Sequence, residues 1–378
     1  MKIGLDYISS FGVGGNATYT RGLISGLAKI DQKNNYYLYT YLHKLLPFYK
    51  NEIIHQKNFH YQAGYFCWPY KLFQKKFRIF EQQLLFRRSK KDEIDIFHLT
   101  NSSRFNHCME KFVVTIHDIA PFHSKRFAKK NSVSFYNKYF KQIINKARCV
   151  IVDAEFTKRD ILSKFHIKAE KIRVVPLAVD NNFKPTYNLD VLKKYRLVKK
   201  YILSVGELQP RKNLSALLRV YSLLSRKIKN EYDLVLVGMP RDQFFLDKLK
   251  KIIIKQKIEK NVKILGYLNT KELSVLYSHA YVFVYLSLLE GFGLPPLESL
   301  MCGRPVLVAD NSTLPEIVGL AGSKVDPKNT EQMVLKLKQL LENQFMIDDL
   351  VKNIPNQVNK FSWQKTAEQT LQIYREFN

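Results

Sequence analysis

Val282-Phe283-Val284-Tyr285-Leu286 is an apolar run that leads, through Ser287-Leu288-Leu289, into Glu290-Gly291-Phe292-Gly293-Leu294-Pro295-Pro296-Leu297-Glu298, where two carboxylates stand eight positions apart across a turn broken by glycine and proline. The run predicts a buried parallel strand, Gly291 and Gly293 a tight loop at its C-terminal end, and Pro296-Leu297-Glu298-Ser299-Leu300 the first turn of a helix. Open α/β sheets bind their ligands at such strand ends. Glu290 and Glu298 can then face one small polyhydroxyl ligand, because an ionised carboxylate accepts two hydroxyl protons without a charged partner. A helix N-terminus also favours acidic residues through its dipole, which would account for a glutamate there without any ligand.

The same grammar recurs upstream. In Val205-Gly206-Glu207-Leu208-Gln209-Pro210-Arg211-Lys212-Asn213-Leu214 a strand over 201–205 runs into a glycine turn, and two adjacent cations open a helix. Such a pair suits a diphosphate, since Arg offers a planar fork, Lys a point charge and the helix N-terminus its partial positive charge. The bland alternative is a solvated basic turn. Near the start, residues 2–6 form a short strand, and a loop holding Gly12, Gly14 and Gly15 precedes a helix beginning at Asn16-Ala17-Thr18. Paired glycines let backbone N–H groups approach a phosphate or sugar, although any strand-to-helix turn favours glycine. Val113-Val114-Thr115-Ile116-His117-Asp118-Ile119-Ala120-Pro121 predicts a buried strand that delivers His117 and Asp118 at its C-terminal end, the same edge as the glycine loop. Asp118 suits a ligand contact and a turn-capping role equally.

Strand-like runs alternate with helical patterns along the whole chain: 2–6, 36–41, 94–99, 112–116, 149–153 and 172–175, then 201–205, 234–237, 262–265, 282–286 and 305–309. Alternation of this kind predicts α/β architecture with parallel sheets covered on both faces, twice over. The 378 residues allow two domains. A seam near Val179-Asp180-Asn181-Asn182-Phe183-Lys184-Pro185 divides residues 1–183 from 184–360, and Phe361-Ser362-Trp363-Gln364-Lys365-Thr366-Ala367-Glu368 starts a last helix over 361–378 with Ser362 as N-cap.

Taken together, the Glu290/Glu298 pair, Arg211-Lys212 and His117-Asp118 resemble the motifs of the retaining glycosyltransferases of family 4, and the resemblance spans essentially the whole chain. It implies the GT-B arrangement: two facing Rossmann-like domains, the first binding acceptor and the second binding the nucleotide-sugar donor, with the last helix crossing back to the first. By sequence alone that helix could equally end the second domain. The resemblance further implies that Arg211 and Lys212 hold the donor pyrophosphate, Glu298 the ribose, Glu290 the transferred sugar, and that His117 faces that sugar. Gly14, Gly15, Asn16, Asp118, Gly206, Gly291, Phe292, Gly293 and Leu294 complete the expected donor contacts. One departure is Glu207, where many relatives carry Arg directly after the glycine, so that Arg211 is expected to have taken over that phosphate contact. Ser312-Thr313-Leu314-Pro315-Glu316-Ile317-Val318-Gly319 also matches a family turn.

With 61 basic against 33 acidic side chains the net charge is +28, which calls for an anionic partner. Its sharpest local form lies between residues 66 and 91, where Lys71, Lys75, Lys76, Arg78, Arg87 and Arg88 interleave with Trp68 and several phenylalanines at helical spacing. That composition suits a helix in the headgroup region of an anionic membrane, each cation adding about 1 kcal/mol, or else a helix packed on the first sheet with its lysines solvated. No zinc-finger spacing, ribonucleoprotein strand or helix-turn-helix is evident, so nucleic acid is not an expected partner. Cys67, Cys108, Cys149 and Cys302 lack pairing or metal spacing, which predicts free thiols in a reducing compartment and no metal site. The first residues lack the apolar core of a signal peptide and the longest apolar stretch, 280–289, is too short to cross a bilayer. The expected setting is therefore the inner face of the cytoplasmic membrane, reached peripherally.

The function expected from this sequence is metal-independent, retaining transfer of a hexose from a nucleoside-diphosphate sugar to a glycan, carried on a polyprenyl diphosphate, in bacterial surface-polysaccharide assembly, a setting that favours mannose. A nucleotide-sugar epimerase of the same fold and a non-catalytic glycan- or membrane-binding protein are the rivals.

Overall fold

The buried runs pair as parallel strands in two separate sheets. The computed structural model describes residues 1–12, 14–40, 56–63, 88–104, 112–124, 126–127 and 130–377. Trp68, Lys71, Lys75, Lys76, Arg78 and Arg87 lie outside them. The chain forms two compact units, Met1–Ala178 together with Phe361–Asn378, and Val179–Lys360.

In the first unit the described strands are β1 Lys2–Asp6, β2 Asn35–Thr40, β3 Phe59–Ala63, β4 Ile96–Leu99, β5 Phe112–Ile116, β6 Cys149–Val152 and β7 Ile172–Val174, in the spatial order β3-β2-β1-β4-β5-β6-β7. Every pair is parallel. The second unit repeats the plan with β8 Lys200–Val205, β9 Tyr232–Val237, β10 Val262–Leu265, β11 Val282–Tyr285, β12 Val306–Ala309 and β13 Gly322–Val325, in the order β10-β9-β8-β11-β12-β13. Each sheet therefore reverses its direction of growth once, between β1 and β4 in the first and between β8 and β11 in the second. Those crossovers leave a crevice at the carboxyl ends of the central strands. β3 and β13 were not among the expected strands. Both are edge strands, and the polar residues of FHYQA and GSKV satisfy an edge without the apolar run that betrays a central strand.

The core of the first unit is built on Val114, Ile116, Val150 and Val152 of the sheet with Phe140, Ile143 and Ile144 of the helix Lys130–Lys146. That of the second joins Ile202, Leu234, Leu236, Val282 and Val284 to Leu217, Leu218, Leu249 and Leu337. Cys149 and Cys302 are buried and free.

The last helix, Trp363–Glu376, belongs to the first unit and packs on the helix Gly15–Ile30. Ser362 caps it, its Oγ accepting from Lys365 N at 3.2 Å. Glycine makes the approach possible. A Cβ on Gly22 would lie 2.1 Å from the Trp363 ring, and one on Gly26 would lie 2.5 Å from the Trp363 carbonyl. Tyr374 then reaches the sheet, its hydroxyl 2.5 Å from Nδ1 of buried His98 on β4. Among the described residues no helix is long and apolar enough to cross a membrane.

Candidate active site

In the second unit, the loops leaving β8 and β11, the two strands at the crossover, carry the expected cations and carboxylates. After β8 the chain turns at Gly206, whose φ of +144° favours glycine. It then forms one turn of 3-10 helix over Pro210–Lys212. Arg211 and Lys212 therefore do not open an α-helix as the sequence suggested. Asn213 sits in the left-handed region at φ +56° and separates them from the helix Leu214–Ser222. The loop after β11 is fastened to this turn: Leu288 N donates to the Arg211 carbonyl at 2.8 Å, and Arg211 Nη1 donates to the Leu289 carbonyl at 3.0 Å.

Within that frame Glu290 meets both cations. Lys212 Nζ donates to Glu290 Oε1 at 2.7 Å and also to the Tyr285 hydroxyl, while Arg211 Nη1 lies 3.6 Å from Glu290 Oε2. Ser287 Oγ donates to Glu290 Oε1 at 2.5 Å, and Glu290 N donates to Ser312 Oγ at 3.1 Å. The three charged side chains are only 15%, 10% and 8% exposed for Arg211, Lys212 and Glu290, so their mutual attraction is weakly screened. Burial alone would raise the Glu290 pKa, but Lys212 and Arg211 outweigh it and pull it down to about 2. Burial also lowers the Lys212 pKa, with Glu290 opposing. Glu290 is thus ionised throughout the neutral range.

Gly293, at φ +106°, turns the chain into the helix Leu294–Met301, which has proline in its first turn. A Cβ on Gly293 would lie 2.9 Å from Leu314 Cδ2. Gly291 and Phe292 are buried, and the Phe292 carbonyl accepts from Thr313 Oγ1 at 2.6 Å, which fixes the loop between them. Because the helix starts at Leu294, Glu298 lies one turn inside it rather than in its first turn. It accepts from the Tyr277 hydroxyl at 2.8 Å. Here burial pushes the carboxyl pKa up to about 7, with Asp180 adding to the rise and the Tyr277 hydrogen bond holding it back.

In the first unit, His117 and Asp118 follow β5 directly. His117 Nδ1 is 2.7 Å from Asp153 Oδ2, at the end of β6, and Nε2 is 3.2 Å from the Thr100 carbonyl, at the end of β4. The Tyr19 ring meets the imidazole edge to face at 4.9 Å between centroids. Asp118 Oδ1 accepts from Ala120 N at 3.0 Å, the turn-capping alternative of the sequence reading. Gly14 ends its loop at φ +95°, with open space where a Cβ would lie, and Gly15 and Asn16 begin the next helix, all three exposed. The Asn16 carbonyl accepts from Thr20 Oγ1 at 2.9 Å. Arg88, the described member of the basic segment's expected contacts, donates to Gln62 Oε1 at 2.8 Å.

Sequence reasoning missed Tyr285, Ser287, Tyr277 and Asp153. Tyr285 lies within a run read only for its hydrophobicity and Ser287 directly after it, and Tyr277 lies on a different helix, Thr270–His279. Asp153 closes an apolar strand run with a carboxylate, a signal that could have singled it out. Among the described residues no group of three or more His, Cys, Asp or Glu side chains is placed to hold a metal ion.

The family model described as Glycosyltransferase Family 4 matches residues 13–183, and that described as Glycosyl transferases group 1 matches residues 193–357. An O-antigen chain mannosyltransferase B from Escherichia coli is 32% identical over 273 residues, which cover 71% of each chain. The serotype-specific mannosyltransferase WbdA of the same species is 27% identical over 68% of this chain and 32% of its own length. Among solved structures, sucrose-phosphate synthase from Thermosynechococcus elongatus shares the fold with a TM-score of 0.78 at 20% identity, covering 99% of this chain and 98% of that one.

Proposed function

The chain belongs to glycosyltransferase family 4, and from that premise we propose that it moves a hexose, with retention of anomeric configuration, from a nucleoside-diphosphate sugar to a hydroxyl of a glycan acceptor. Its mannosyltransferase relatives, one of them of the O-antigen chain, favour mannose as the sugar and bacterial surface polysaccharide as the product. One observation carries the reading: Arg211, Lys212 and ionised Glu290 converge on the β8/β11 crossover of the second sheet.

As the glycosidic bond of the donor breaks, negative charge gathers on the departing diphosphate. Arg211 and Lys212 are worth more to that charge than to the ground state, and their near-complete burial keeps the gain large. Glu290 keeps these cations charged and in place, and its remaining lone pairs can accept sugar hydroxyls. Glu298 suits the ribose hydroxyls in the same way. Two fixed cations can neutralise a diphosphate as a divalent ion would, which supports the proposal that transfer needs no metal. The acceptor is proposed to be lipid-linked, and the chain peripheral at an anionic membrane; the net charge of +28 supports both.

The test incubates the full chain with GDP-mannose, UDP-glucose and related donors, an undecaprenyl-diphosphate glycan acceptor, and EDTA, with the product's anomeric configuration read by NMR. A new glycosidic bond of the donor's own configuration is expected. Conversion of the donor with acceptor omitted would instead identify an epimerase, an inverted linkage would overturn retention, and no turnover with any donor would favour a binding protein.

A further inference from the structure

His98 and His117 leave adjacent strands of the first sheet, and their partners differ in kind. His98 on β4 faces hydroxyl groups, Nδ1 toward Tyr374 and Nε2 toward Thr115 Oγ1 at 2.8 Å, and each hydroxyl can donate or accept. A neutral ring satisfies both contacts, and burial holds the His98 pKa down to about 3. His117 faces acceptors only. Asp153 Oδ2 lies 2.7 Å from Nδ1, and the carbonyl of Thr100, which has no proton to give, lies 3.2 Å from Nε2. Asp153 is 1% exposed, and its other oxygen, Oδ1, is buried with no hydrogen-bond partner, so its negative charge has the imidazole as its facing compensation.

We infer that Asp153 is a positioning residue that fixes His117 as a doubly protonated imidazolium, presenting two N–H donors and no lone pair. The remaining titratable neighbours are compatible with this. Asp118, next in the chain, adds attraction for the cation. His98 is uncharged, and Tyr19, packed against the ring from the helix Gly15–Ile30, keeps its proton because burial raises its pKa. Burial works against both charges and raises the Asp153 pKa, but at His117 the Asp153 carboxylate outweighs it and the His117 pKa is raised. The consequence for the proposed transfer, on which only this step rests, is that His117 cannot serve as a general base. Its Nε2–H, held by the longer of its two bonds, is a donor that an oxygen of a bound ligand can share.

Ring nitrogen-15 NMR of the full chain labelled at its nine histidines reads the charge directly, without substrate, so that failure of the functional reading would leave this test intact. His117→Gln assigns the resonance by difference. Both His117 nitrogens are expected at the protonated position at pH 7.5, and Asp153→Asn is expected to lower the ring's proton affinity by about 10- to 1000-fold. An unprotonated Nδ1 in the unmodified protein, with the proton residing on Asp153, would overturn the inference, as would an unchanged midpoint in Asp153→Asn. Should Asp153→Asn fail to fold, the unmodified protein decides by itself.

Discussion

Glu290 and Glu298 are the same side chain, eight residues apart at the same end of one sheet, yet the loop and the helix treat them oppositely. The loop surrounds Glu290 with Lys212, Arg211 and Ser287, and its pKa falls to about 2. At Glu298 burial leads, the nearby charge of Asp180 adds to it and the Tyr277 phenol opposes it, and the pKa rises to about 7. Environment thus assigns two roles to one residue type: a permanently ionised counter-charge for Arg211 and Lys212, and a carboxyl that changes state within the physiological range.

The contrast breaks most completely if its cation is removed. Lys212→Ala is expected to lower transfer about 100- to 1000-fold, as loss of one preorganised group facing developing charge does, measured as kcat against the donor. Glu290→Gln leaves Lys212 buried without its nearest counter-charge and is expected to destabilise the fold by about 3 kcal/mol at pH 7 in chemical denaturation. Because the folded pKa of Glu290 is depressed, that contribution is present above about pH 4.5 and fades as the pH falls toward 2. Glu298→Gln should do the reverse. Its raised folded pKa means that stability is lost as the pH rises from about 4.5 through 7, so the amide is expected to stabilise the protein at pH 8 by about 1–2 kcal/mol and to change nothing at pH 4. The partial exposure of Glu298 keeps that figure below the full value of the shift. Ser287→Ala, which deletes one hydrogen bond to Glu290, should cost about 1 kcal/mol. Equal signs for the Glu290→Gln and Glu298→Gln effects at pH 8 would dissolve the comparison.

The sequence made the strand ends legible because central parallel strands are buried on both faces and carry unbroken apolar runs, as at 282–286 and 112–116. The spacing of Glu290 and Glu298 was legible for the same reason: Gly293 and the proline pair leave little freedom in how strand gives way to helix. Their opposite charge states were not. Those depend on Lys212, 78 positions from Glu290, and on the burial of Glu298 beside partners such as Tyr277, 21 positions away, surroundings that only the folded sheet creates. The link from His98 to Tyr374, across 276 positions, was invisible likewise, and it accompanies the last helix into the first unit, where the sequence left two placements open. Asn213 illustrates a smaller miss, since nothing in Arg211-Lys212-Asn213-Leu214 announces that the asparagine turns left-handed before the helix begins.

On the proposed function, the second unit binds a nucleoside diphosphate through Arg211, Lys212 and Glu298. Thermal unfolding with GDP, UDP, dTDP and ADP in turn tests it most directly, because a ligand at about a hundred times its dissociation constant adds about 2.7 kcal/mol. One nucleotide is expected to raise the midpoint clearly in the unmodified protein and not in Glu298→Ala or Lys212→Ala. A shift that survives both substitutions, or no shift with any of the four, would contradict the claim.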